Sequence, residues 1–68
     1  MSKGRVKYFN DRKGWGFIAS EELEKDVYVH YTQINMDGYR TLKEGQEVIY
    51  ELADTVGGYK AQNVMVNQ

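Results

Sequence analysis

A small all-β barrel is the fold this chain predicts, on three observations. Its apolar residues fall in five short runs rich in Val, Ile, Tyr and Phe, separated by glycine and polar clusters. No stretch keeps a 3.6-residue apolar repeat long enough for a helix. With 68 residues, no cysteine and one histidine, the chain has a thin core and neither disulfide nor metal to brace it. Strand pairing and apolar packing must hold it together, as one domain over residues 1–68.

Residues 5–10 form the first run. Residues 10–14, Asn-Asp-Arg-Lys-Gly, read as a turn, because Asn, Asp and Gly tolerate the backbone angles a turn needs. Residues 15–19 are the second run, 20–25 an acidic loop, and 27–31 the third run. Residues 32–34 predict one helical turn with Thr32 as its cap. A long connection over 35–46, with Gly38 and Gly45, leads to the fourth run at 47–52. A hairpin over 53–58 and a fifth run at 60–66 complete the chain. Five short antiparallel strands without a real helix predict a small closed barrel of the OB type, closure being what protects the sheet edges.

Net charge is −1 and the sequence pI about 5.7, which alone argues against a polyanion binder. The distribution argues otherwise. Residues 3–13 carry five cations (Lys3, Arg5, Lys7, Arg12, Lys13) against Asp11, whereas residues 21–26 and 37–54 each hold a surplus of three acids. No apolar stretch approaches the roughly 18 residues of a membrane span, and no signal-type run follows the basic start at residues 1–5. A soluble, cytoplasmic protein is the expectation, and the lack of cysteine fits a reducing compartment.

Side chains alternate faces along a strand. In the second run Trp15 and Phe17 share one face and Ile18 takes the other; in the third, Tyr28 and His30 lie opposite Val27 and Val29. The aliphatic side predicts the core, joined by Val6, Val48, Tyr50, Leu52 and Val64. Trp15, Phe17, Tyr28 and His30 are then left outside, where an aromatic cluster marks a binding surface. The opposite packing, rings inside and Ile18 outside, has two consecutive strands against it. Tyr8 is ambiguous: strict alternation groups it with Val6 and sets Lys7 and Phe9 outside, unless a bulge re-aims it. Lys7 and Lys13 flank the rings. Rings interleaved with cations suit single-stranded nucleic acid, whose bases stack and whose phosphates are charged. The single His30, without cysteine or a second histidine, makes no metal site, and no Ser, Cys or paired carboxylate stands ready to form a catalytic unit.

Lys13-Gly14-Trp15-Gly16-Phe17-Ile18 resembles the first ribonucleoprotein motif, and Val27-Tyr28-Val29-His30-Tyr31 resembles the second. An RRM would need two helices that this chain lacks. With Gly4-Arg5-Val6-Lys7-Tyr8-Phe9-Asn10 before and Gly38-Tyr39-Arg40-Thr41-Leu42 after, the sequence resembles the bacterial cold-shock proteins from about residue 4 to 66. The resemblance implies an OB-fold barrel that binds single-stranded RNA and DNA with low sequence preference. The implied role is that of an ATP-independent RNA chaperone in stress response and in transcription and translation.

Carried over position by position, the implied stacking residues are Tyr8, Phe17, Tyr28, His30, Tyr31 and Tyr39, with Phe9 and Trp15 at the margin. The implied polar contacts are Lys7, Asn10, Lys13 and Asp26. The family usually has Trp at the position of Tyr8 and Phe at those of Trp15, Tyr28, Tyr31 and Tyr39. Its Gly-Pro-Gln-Ala is here Gly58-Tyr59-Lys60-Ala61, which offers Lys60 as a replacement phosphate contact and Tyr59 as a further ring. No cofactor, membrane or small-molecule substrate is implied. A monomer is expected, with strand exchange through residues 35–46 as the route to a dimer. A peptide-binding barrel is the rival reading, and the cations beside the rings count against it. Duplex-DNA reading lacks a recognition helix.

Overall fold

Five strands cannot alternate up and down all the way round a closed ring, because five is odd. The computed structural model, which describes residues 1–67, resolves this parity with one parallel seam. The strands are β1 (Ser2–Asn10), β2 (Trp15–Ser20), β3 (Asp26–His30), β4 (Glu47–Thr55) and β5 (Gly58–Val66). They close in the order β1-β2-β3-β5-β4, with β4 returning to β1. Four pairings are antiparallel. The fifth, between β3 and β5, is parallel and rests on the register of Tyr28 with Lys60. The expectation of antiparallel pairing throughout is corrected there.

The strands sit where the β-rich runs lie, with longer ends: β1 starts at Ser2 and β4 extends to Thr55, so the hairpin turn shrinks to Val56 and Gly57. Tyr31, read as the end of the third strand, begins a 3-10 turn (Tyr31–Gln33). The cap of that turn is His30, not Thr32: the imidazole Nδ1 accepts from the Thr32 N–H at 3.4 Å.

The core is Val6, Ile18, Val27, Val29, Ile34, Leu42, Val48, Tyr50, Ala61 and Val64. Leu52, expected among them, is 37% exposed. It lies in the outer half of β4, where only Ala53 is even partly covered, and alternation carries no information about where the barrel ends. Ile34 and Leu42 belong to no strand, and periodicity passed over them. They are the apolar pegs of the long connection. Ile34 forms a lone parallel bridge with Val64, Asn35 donates to the Val64 carbonyl at 2.8 Å, and Gly45 donates to the Val6 carbonyl at 2.7 Å.

Among the described residues Tyr50 is the one ring wholly inside, and its hydroxyl has no hydrogen-bond partner. An unpaired buried hydroxyl carries its desolvation cost uncompensated. Tyr50→Phe is therefore expected to stabilise the fold by about 1 kcal/mol, raising Tm by about 4–8 °C. Thermal denaturation followed by circular dichroism checks this; a lower Tm would mean that the hydroxyl is satisfied.

Candidate nucleic-acid interface

The outer wall of β1, β2 and β3 is built from two cross-strand rows. Tyr8, Phe17 and Tyr28 stand opposite one another in register, and the row continues to Lys60 on β5; Asn10, Trp15 and His30 form the next. Tyr8 reaches its row through an irregularity in β1. Val6 pairs with Ile18 but Tyr8 pairs with Phe17, so Lys7 is an extra residue and the strand's facing inverts beyond it. Tyr8 is consequently 46% exposed, and its ring lies 6.2 Å from Trp15. The same inversion turns Phe9 the other way. It was placed outside with Lys7 by alternation, and it packs partly buried against the core.

Three of the ring pairs meet edge to face. Trp15 to Phe17 and Phe17 to Tyr28 each measure 5.9 Å at steep angles, while Trp15 and Tyr28 lie nearly parallel at 6.3 Å. His30 and Tyr31 form a tilted pair at 4.7 Å at the far end of β3. Trp15, Phe17, Tyr28 and His30 are partly buried; Tyr31 and Tyr39 are 44% and 69% exposed. Tyr59 packs partly buried against the core, so the further ring offered there is largely spent on packing.

The two glycines of the Lys-Gly-Trp-Gly-Phe motif have separate steric reasons. Gly14 has φ +83°, which L side chains rarely adopt, and a Cβ there would meet the Tyr31 ring at 2.6 Å. Its carbonyl accepts from the Tyr31 N–H at 2.7 Å, tying the turn to the end of β3. A Cβ on Gly16 would run into the Tyr8 carbonyl and lie 2.6 Å from the Phe9 Cα. Asn10 builds the turn that leads into the motif: its Oδ1 accepts from the N–H groups of Arg12 and Lys13 at 3.0 and 2.9 Å.

Two clefts open on this wall. One, of about 260 Å³, lies over Tyr28, His30, Gln33, Lys60 and Gln62. The other, about 480 Å³, lies between the 10–14 turn and the long connection, lined by Asp11, Arg12, Lys13, Tyr31, Tyr39 and Arg40. The Tyr39 hydroxyl donates to the Asp11 carbonyl and joins the two walls of the larger cleft. Lys7 and Asp26, both exposed, form an ion pair at 3.1 Å beside the first row. Arg12 and Arg40 were not singled out from the sequence. Each directly adjoins a residue that was, Lys13 and Tyr39, and that adjacency was the available signal. No cluster of His, Asp or Glu among the described residues has the spacing of a metal site.

The fold and this wall define a class: a small OB-type barrel with a ring-covered, cation-flanked outer face. Comparison with known proteins gives the family. The profile of the 'cold-shock' DNA-binding domain matches residues 2–67. A cold shock-like protein CspA of Stigmatella aurantiaca is 52% identical over 64 residues, covering 94% of each chain. The cold shock-like protein CspE of Escherichia coli is 48% identical over 63 residues, or 93% of this chain and 91% of that one. Among solved structures, one titled drosophila Unr CSD456 matches with a TM-score of 0.80 at 18% identity. That match covers 98% of this chain and 26% of the other, and bears on the fold alone. The chain belongs to the cold-shock domain family and is a nucleic-acid-binding cold-shock protein.

Backbone crowding at Gly16 makes the motif's second glycine a requirement of the fold before any ligand arrives. Gly16→Ala is expected to cost on the order of 1–3 kcal/mol of stability, as overpacking does. Urea unfolding without nucleic acid measures it, and an unchanged midpoint would contradict the crowding argument.

Proposed function

We propose that this protein binds single-stranded RNA and DNA with low sequence preference, by stacking bases on the β1–β3 wall, and acts as an ATP-independent RNA chaperone in the cytoplasm. The observation that carries this reading is the row Tyr8, Phe17, Tyr28, Lys60. Three rings on adjacent strands are followed by a cation on the fourth, across a net-acidic chain. A duplex keeps its base faces covered and has nothing to offer such a row, whereas each unstacked base contributes roughly 1–3 kcal/mol on a ring. Every base has a π-face, so recognition by stacking discriminates little among sequences. His30, Tyr31 and Tyr39 extend the track toward the larger cleft, and Trp15 stands in the second row beside His30. Lys7, Lys13 and Lys60 supply the phosphate contacts, with Asn10 and Asp26 as polar partners for base edges; Phe9 contributes the edge that packing leaves uncovered. The domain works as a monomer over residues 1–68.

A protein that binds only the unpaired form of an RNA shifts that RNA's folding equilibrium by mass action. Such work needs no nucleotide hydrolysis. It is served by loose, rapidly exchanging binding, and a stacking track on an acidic protein supplies that.

Trp15 fluorescence titrated with a short oligothymidylate, against a duplex of equal length, tests the reading. Quenching is expected from the single strand and not from the duplex. Phe17→Ala and His30→Ala, each shown folded by circular dichroism, are expected to lose about five- to hundredfold in affinity, the span of one stacked base. With two to four phosphates neutralised, the log–log slope of affinity against salt is expected near −1.5 to −3. Undiminished affinity in both variants, or equal binding of the duplex, would defeat the proposal.

A further inference from the structure

We propose that the cleft between the 10–14 turn and the long connection is a subsite for a terminal phosphate monoester, so that the protein prefers strands with a phosphorylated end. The proposal rests on the single-strand reading above and adds to it which part of a strand this cleft takes. Charge distinguishes this cleft. Arg12, Lys13 and Arg40 line the cleft with Asp11 as the one acid, a surplus of two positive charges in about 480 Å³. Arg5 and Lys7 are each engaged by a carboxylate, Glu47 and Asp26; none of the three cleft cations is in an ion pair among the described residues. A phosphodiester inside a strand carries one negative charge. A terminal monoester carries about −1.5 to −2 at neutral pH and offers three acceptor oxygens. The surplus therefore matches an end better than an interior link, and two guanidinium groups provide the paired donors that phosphate oxygens accept.

The site is also built in advance. Asn10 Oδ1 holds the N–H groups of Arg12 and Lys13, and Asn10 O holds that of Gly14 at 2.7 Å, so the cation-bearing turn is fixed. The Tyr39 hydroxyl on the Asp11 carbonyl fixes the opposite wall, which carries Arg40. Tyr31 and Tyr39 lie in the same cleft and offer their rings to the terminal base while the cations take its phosphate.

Three oligothymidylates of one length settle it: unphosphorylated, 5′-phosphorylated and 3′-phosphorylated, titrated by Trp15 fluorescence at pH 7.5 and low salt. One phosphorylated end is expected to bind about three- to tenfold tighter, the scale of one or two exposed charge pairs, and the arm that gains identifies which end sits in the cleft. The gain is expected to shrink toward pH 5, as the monoester takes up its second proton near pH 6. In an Arg12→Gln, Arg40→Gln variant the ratio of phosphorylated to unphosphorylated affinity is expected to fall to about one. Arg40→Gln alone reads the same ratio should the double variant disturb the turn. Equal affinity for the three oligonucleotides, or a gain that survives in both variants, overturns the subsite and leaves the stacking wall standing. Failure of all three to bind overturns the wall and the subsite together.

Discussion

The interior of a five-stranded barrel is narrow, and the rest of this molecule follows from how little it holds. Nine aliphatic side chains and a single ring, Tyr50, fill it. Even that ring enters at the expense of an unpaired hydroxyl. The remaining aromatics have no inside to go to. On strands that must alternate, placing Ile18, Val27 and Val29 inward obliges Phe17, Tyr28 and His30 to stand outward on the same two strands. The domain thus makes its core and its candidate binding wall in one operation. The wall's rigidity comes from the packing behind it, which costs a flexible loop far more to achieve.

Much of this was legible in the sequence, and the exceptions share causes. Alternation sorted β2 and β3 correctly because both strands are regular over their whole length. It failed for Tyr8 and Phe9 because one inserted residue, Lys7, exchanges the faces of everything after it, and composition gives no mark of a bulge. It failed for Leu52 because facing inward and lying within the barrel are different conditions. Ile34 and Leu42 were passed over because a lone apolar residue in a connection has no period to reveal it. The parallel seam, by contrast, was available to arithmetic alone: an odd closed ring requires one. Among the site residues, the ring rows came from pattern. The larger cleft did not, because its two walls lie 28 residues apart and meet through the Tyr39–Asp11 contact.

Charge completes the picture by keeping nucleic acid to one side. Lys7 stands beside the ring wall, and Arg12, Lys13 and Arg40 line its larger cleft. The acidic stretches run through the 20–25 loop and the outer surface of β4, where Glu51 and Asp54 are exposed. A polyanion is attracted to one face and repelled elsewhere, which a net charge near zero conceals. Lys7 is a special case. Its ion pair with Asp26 means that a phosphate approaching Lys7 must displace a tethered carboxylate rather than a free counterion.

The seam between β3 and β5 has a mechanical consequence. A ring of strands yields first at its weakest joint, and here that joint is held by the Tyr28–Lys60 register and the single bridge from Ile34 to Val64. Tyr28 and Lys60 are also neighbours in the smaller cleft. A strand laid across them straddles the joint from outside, like a splint over a suture. Ligand occupancy and barrel integrity are therefore one mechanical problem. On the proposed binding mode, forces that open the cylinder would first have to peel off the nucleic acid, and an empty wall would leave the cylinder at its most easily opened.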